Sequence, residues 1–315
     1  MAKTNELSNA IFQDETKARA WLETHLWPAG PVCPKCGTVG AATPLTTREG
    51  WYQCNSAECR GQFTVTVGTL FERSHIPLNK WLMAAFLMCA SKKGMSAHQI
   101  HRMIGVSYKS TWFMCHRLRE AMRELAPAPI GGAGIYVEAD ETYVGGKAKN
   151  KHKSKRTGGT GAVDKEIVFS LVERKGRVQS RHIADVSAKT LRPILTEQIH
   201  QASTLMTDEA GQYRLHGSHF AKHETVNHSI DEYVRGPAHT NTVEGYFSIL
   251  KRGIVGTYHH VSSQHLKRYL GEFDFRYNER SGLGVTDAAR TSKALAGIVG
   301  KRLTYRRTNR EGSAA

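Results

Sequence analysis

The sequence predicts a multidomain α/β protein made of a metal-stapled ribbon, a helical region and a larger mixed-sheet domain. Three observations carry that expectation. Four cysteines, Cys33-x2-Cys36 and Cys54-x4-Cys59, sit in a short Gly-rich segment with too little apolar surface to fold by burial alone. Residues from Pro77 onward switch to apolar helical texture broken by a Gly-containing turn. The order strand, strand, strand, helix, strand, helix then marks a mixed α/β domain over 133–290.

Residues 1–28 form the first element, a helix over 7–26. Ser8 or Asn9 can cap it, Phe12, Ala18, Trp21 and Leu22 recur at helical spacing, and Pro28 ends it. The ribbon follows at 29–70, with Tyr52, Phe63, Val65 and Val67 alternating as in strands around the cysteines. Two cysteine pairs on tight turns supply four thiolates to one tetrahedral zinc, and a closed four-thiolate sphere is structural, not catalytic. Cys89 and Cys115 lie in apolar helical stretches and read as core thiols.

In the helical region, 75–125, Ser96 caps a helix through Ile104, Gly105-Val106-Ser107 makes the turn and Ser107 caps the next helix. This reads as a helix-turn-helix with Ile100, Ile104, Val106, Trp112 and Leu118 inward and His98, Tyr108, Lys109 and Arg117 outward. APAPIGGAG, 126–134, is a linker. Strands then fall on GIYVEAD, IVFSLVERKG and RVQSRHI with a Lys175-Gly176 turn, followed by a helix over about 187–200, the strand TLMTD and a helix from Asn241. A basic, Gly-rich loop at 147–161 carries Lys147, Lys151, Lys153, Lys155 and Arg156, and 291–315 reads as a basic, polar tail.

The 315 residues carry 44 Lys and Arg against 28 Asp and Glu, a formal charge of +16 and a pI near 9.7, which favours a polyanionic partner, nucleic acid before ribosome or membrane surface. No apolar run reaches the roughly 18 residues of a membrane span and no hydrophobic signal core opens the chain, so the expectation is a cytoplasmic protein. In that reducing compartment the paired cysteines are metal ligands, not disulfides.

Asp140 and Asp208 each close an apolar strand, and Glu244 lies in the first turn of a helix. Three such carboxylates can hold two magnesium (or manganese) ions about 4 Å apart for chemistry on phosphates. Lys251, seven residues beyond Glu244, projects from nearly the same helical face and can grip a phosphate, with Arg252 beside it. Glu138, Glu141 and Glu209 compete as ligands; Glu141 and Glu209 directly follow their Asp and face the opposite side of an extended strand. The histidines between 216 and 260 give no paired ligand spacing beyond His219 and His223, which is a chance relation.

CPKCG, DETYVGGK (140–147), the TDE at 207–209, HTNTVEGYFSILKRGIVGTYHHVS (239–262) and FRYNER (275–280) resemble bacterial insertion-sequence transposases of family fifteen-ninety-five, the ISXO-two-like group. The resemblance implies a zinc ribbon, a DNA-binding helical region and a ribonuclease-H-like domain whose DDE positions fall on Asp140, Asp208 and Glu244, with Lys251 as the accompanying basic residue. Members carry Asn or Glu as third ligand; Asn241 stands three residues before Glu244, and Glu244 is preferred as the anionic choice two turns ahead of Lys251. The implied chemistry is metal-dependent cleavage and strand transfer on double-stranded DNA, with Tyr108, Lys109 and Arg117 on the recognition helix and the basic loop on phosphates. Pairing two element ends implies a homodimer or higher. A binding protein that no longer cuts, and a nuclease without strand transfer, are the alternatives.

Overall fold

The computed structural model describes residues 6–146, 152, 165–208, 213, 219–226 and 239–304. They fall into two compact units, one built from the chain up to 91, from 95–122 and from 285 on, the other from 92–94 and 123–284.

In the first unit the continuous helix expected over 7–26 is broken. Asn9 caps a single 3-10 turn, Ala10–Phe12, and Asp14 then starts α1 (Glu15–Leu26) by accepting the Lys17 amide at 2.8 Å. A second cap so close to the first resets the backbone. The ribbon is a three-stranded antiparallel sheet, β1 (Ala42–Pro44), β2 (Tyr52–Cys54) and β3 (Gln62–Phe63). Val65 and Val67 lie beyond it in turns, so the strand alternation reaches only to Phe63. Trp27, Tyr52 and Phe63 form its aromatic floor, with ring centroids 5.4–5.9 Å apart.

The helix α2 (Leu78–Ala90) is buried on nearly every side, and Cys89 and Cys115 are core residues as expected. Ser96 caps α3 (Ala97–Ile104), Gly105 takes the left-handed conformation at φ +67, and Ser107 accepts the Ser110 amide at the start of α4 (Tyr108–Met122). Ile100, Ile104 and Leu118 are buried, whereas Val106 and Trp112 are only partly covered. The tail expected from 291 begins inside a helix, α8 (Asp287–Ala296), whose Thr286 cap and buried Arg290, Ala294 and Leu295 give it an inner face. Arg290 donates to the Cys89 carbonyl at 2.9 Å and the Ser292 carbonyl pairs with His25 at 2.8 Å, so α8 completes the core begun by α1 and α2.

The second unit is a five-stranded mixed sheet in the order β6-β5-β4-β7-β8. β4 (Tyr136–Val144), β5 (Glu166–Glu173) and β6 (Val178–Ile183) are antiparallel; β7 (Thr204–Asp208) and β8 (Lys222–Val226) run parallel to β4. Strand alternation divides the two faces. Val137, Ala139, Phe169, Leu171 and Leu205 pack toward α5 (Ala188–Gln198). Val144, Val168, Val172 and Val178 pack toward α6 (Asn241–Gly253) and α7 (Ser263–Asn278).

The free edge of β6 is covered by α7. Asn278 accepts the Val178 amide and donates to its carbonyl, and Asp274 accepts the Ser180 amide and hydroxyl at 2.8 and 2.7 Å. Buried there, Asp274 is pushed up to about 6, against the lowering effect of the Tyr246 and Ser180 hydroxyls that donate to it. Side chains thus occupy the backbone groups that an exposed edge would offer to another chain.

Gly105 sits where only the backbone conformation, and no neighbouring atom, opposes a side chain. Gly105→Ala is therefore expected to cost roughly 1–2 kcal/mol through left-handed strain alone, read as a lower urea midpoint at unchanged slope.

Candidate functional site

Cys33 and Cys36 flank one tight turn, and Cys54 and Cys59 bracket the end of β2 and the loop after it. Their four sulfurs lie within 4.8 Å of one another, and the Cys33–Cys59 and Cys36–Cys54 separations are both 3.7 Å. A tetrahedron with zinc–sulfur bonds of about 2.3 Å has edges of about 3.8 Å. The donor set and its spacing fit one structural zinc with no position open for substrate.

The acidic residues assemble on the α6 side of the mixed sheet. Asp140 does not end its strand: Thr142, Tyr143 and Val144 extend β4 by pairing with Val168, Ile167 and Glu166. Asp208 does end β7. The parallel register sets Glu138 against Met206, and Asp140 and Asp208 each lie two residues further along that same face of their strands. Glu244, in the first turn of α6, is exposed, and its carboxylate accepts the Thr240 hydroxyl at 2.9 Å.

Burial raises the Asp140 carboxyl to about 7; the Glu141 amide, donating at 2.7 Å, opposes the rise, while the negative charges of Glu141, Asp208 and Glu244 add to it. Three carboxylates from two strands and a helix thus share one field. Oxygen donors held in mutual repulsion suit a hard divalent cation such as Mg2+ or Mn2+. They are less tightly drawn together than the thiolates, for among the described residues only the cysteines bring three or more ligand atoms within 4.8 Å.

Glu138, ranked from the sequence as a minor competing ligand, has another place. It is 0% exposed, two residues before Asp140 on the same face. Its carboxylate accepts the Arg174 guanidinium at 2.6 Å, the Thr242 amide at 2.8 Å, the Thr242 hydroxyl at 2.8 Å and the Val243 amide at 3.0 Å. His239 Nδ1 lies 3.3 Å from the same oxygen, and Arg174 also donates to the His239 carbonyl at 2.8 Å. Glu138 therefore caps α6 from inside the sheet and fixes where Glu244, in the same first turn, emerges. One signal was available: an acid flanked by apolar residues in a strand covered on both faces needs a buried partner.

Glu141 faces the other side of the sheet, as its parity predicts, and accepts the buried Tyr213 hydroxyl at 2.5 Å. Glu209 lies outside the described residues, as do Lys147, Lys151, Lys153, Lys155 and Arg156 of the basic loop. Asn241 is exposed at the start of α6, and Lys251 and Arg252 are exposed in its last turn. His219 and His223 serve local contacts, to Arg192 and to the Thr207 hydroxyl. Tyr108 is 42% exposed with its ring stacked 3.9 Å from His98, and Lys109 is exposed beside it. Arg117 differs from the outward reading, since it is half-buried and donates to the Leu303 and Glu72 carbonyls, both at 3.3 Å.

Residues 132–278 match the family described as ISXO2-like transposase domain, and residues 13–62 match the transposase zinc-ribbon domain. A curated relative from Halobacterium salinarum, described as an uncharacterized protein in transposable element ISH50, is 30% identical over 280 residues, spanning 84% of this chain and 91% of its own. Among the described residues no helix is long and apolar enough to cross a membrane.

Cys36→Ser is expected to lose zinc while the mixed-sheet unit stays folded; elemental mass spectrometry that still finds one zinc per chain would refute the ligand set. Glu138→Ala strands a buried guanidinium and two helix-start amides, and should cost about 3 kcal/mol or more, measured as a fall in unfolding free energy in urea.

Proposed function

We propose, from the premise that this chain belongs to the ISXO2-like family of insertion-sequence transposases, that it cuts and joins DNA at a DDE site formed by Asp140, Asp208 and Glu244. The observation that carries the reading is the shared field of these residues: Asp208 and Glu244, 36 residues apart in number, both act on the half-buried Asp140. The sheet order, with three antiparallel strands and two more parallel to the first of them, supports a ribonuclease-H-like reading of the domain.

A pair of magnesium ions, when bound, activates the attacking oxygen and stabilises the leaving one. The chain's own part is geometric and electrostatic. Asp140 and Asp208 offer oxygens from neighbouring strands, and Glu244 offers one from the helix that Glu138 holds in place. Lys251, two turns beyond Glu244, holds the DNA phosphate backbone beside the reacting one. In the first step a water oxygen bonds to phosphorus and the bond to the 3′-oxygen breaks, freeing a 3′-hydroxyl. That hydroxyl then attacks a target phosphorus and displaces its 3′-oxygen, so no covalent enzyme intermediate forms.

The zinc ribbon and the exposed start of α4, Tyr108 and Lys109, read the element ends as a helix-turn-helix pair; the residues of the basic loop and Arg252 add salt-sensitive phosphate contacts. Pairing two ends calls for two copies of the chain.

Asp208→Asn is expected to reduce strand transfer to background while end binding stays within a few-fold of wild type. The check is an in vitro joining assay with Mg2+ on labelled element ends beside a gel-shift titration. Transfer by the variant would remove the site assignment; cut ends with no joined product from the wild type would make the protein a nuclease.

A further inference from the structure

The chain beyond α6 adopts a costly shape. Ile254–Tyr258 forms one π-helical turn, and His259 follows at φ +60, ψ −45, a conformation that a non-glycine residue rarely adopts. Such turns and such strain persist only where the surroundings impose them, and they concentrate at functional surfaces.

Here the imposing elements are buried. Ile254 packs into the apolar layer under α6. The Tyr258 hydroxyl donates to Glu272 at 2.7 Å, and Glu272, 0% exposed, is paired with Arg276 one turn along α7. The Tyr258 ring meets Tyr269 edge-on at 4.7 Å. A second segment is pressed against the same turn: a Cβ on Gly94 would lie 2.0 Å from the Tyr258 hydroxyl, and one on Gly253 would lie 2.8 Å from the Lys93 carbonyl oxygen.

This anchoring gathers exposed groups that are far apart in sequence. Lys92 and Lys93 join Lys251 and Arg252 around a knuckle whose tip, Val255, is 69% exposed, with His259 beside it. No ion pair joins Lys92, Lys93 or Lys251 to a carboxylate among the described residues. Cations surrounding an apolar tip complement a polyanion that has an apolar interior within reach, and double-helical DNA has both.

We propose that this knuckle is a duplex-DNA grip, its lysines and Arg252 on phosphates and Val255 in a groove against the base steps. Val255 lies eleven residues beyond Glu244, a rise of roughly 16 Å along a helix, or about five base steps at 3.4 Å each. The grip itself rests on the surface; its distance from the cutting point rests on the reading of Glu244 as a metal ligand.

The test uses the full zinc-loaded chain and a labelled duplex. For the double variant Lys92→Ala with Lys93→Ala, the slope of log affinity against log salt should become shallower by about two. For Val255→Ala, the fluorescence rise of 2-aminopurine placed about five base pairs from the cut should disappear, with affinity changed only a few-fold. Because all three side chains are exposed, unchanged thermal melting is expected and is measured alongside. An unchanged slope overturns the grip, and an unchanged 2-aminopurine signal overturns Val255 as its tip. Asp208→Asn separates the two readings: if that variant still cuts DNA while the salt slope behaves as stated, the grip stands and the metal-site assignment falls.

Discussion

The place of α6 on the mixed sheet depends on one buried carboxylate, that of Glu138. A carboxylate with no exposure costs several kcal/mol to desolvate unless its partners replace water. Glu138 finds them in the Arg174 guanidinium, the Thr242 hydroxyl and the first free amides of α6, which stand at the positive end of the helix dipole. Apolar packing of Val243, Tyr246 and Leu250 holds α6 against the sheet but tolerates sliding. Three directed hydrogen bonds from its first turn to Glu138 do not. They set the register of the helix, and with it the place of everything the helix carries.

Two acids on one face of β4, two residues apart, are thus put to opposite uses. Glu138 is neutralised by a cation supplied by the fold. Asp140 is raised to about 7 by burial first and then by the like charges of Glu141, Asp208 and Glu244. Burial is common to both, and the difference lies in which neighbours are charged. The ribbon solves a related shortage differently. Its apolar floor amounts to three aromatic rings, and four thiolates at tetrahedral spacing supply the constraint that a core of that size does not.

Period and punctuation made much of this legible. The cysteine spacing, the Ser96 and Ser107 caps, the Gly105 turn, the strands at 166–173, 178–183 and 204–208 and the helix from Asn241 all follow local rules and are found where those rules put them. The edge strand β8 was not legible, because KHETV carries one apolar residue and takes its shape from pairing with β7. Nor was the extension of β4 past Asp140, since an acidic pair reads as a boundary when its tertiary partners are unknown. Arg117 illustrates the general limit: helical spacing places it outward, but Leu303, nearly two hundred residues away, supplies the carbonyl that claims it. Which acids share a field, and which is spent on capping, are likewise tertiary facts.

The docking of α8 onto α1 and α2 has a consequence for how the protein is made. The apolar faces of α2 are synthesised early, yet the helix that closes them emerges from the ribosome only after roughly 200 further residues, on the order of ten seconds of translation or more. Throughout that interval the nascent amino-terminal part has zinc ligands and helices but an open core. A message broken anywhere in the mixed-sheet region therefore yields a chain whose first unit never closes, and such a product is a substrate for proteases before it can compete with the intact protein.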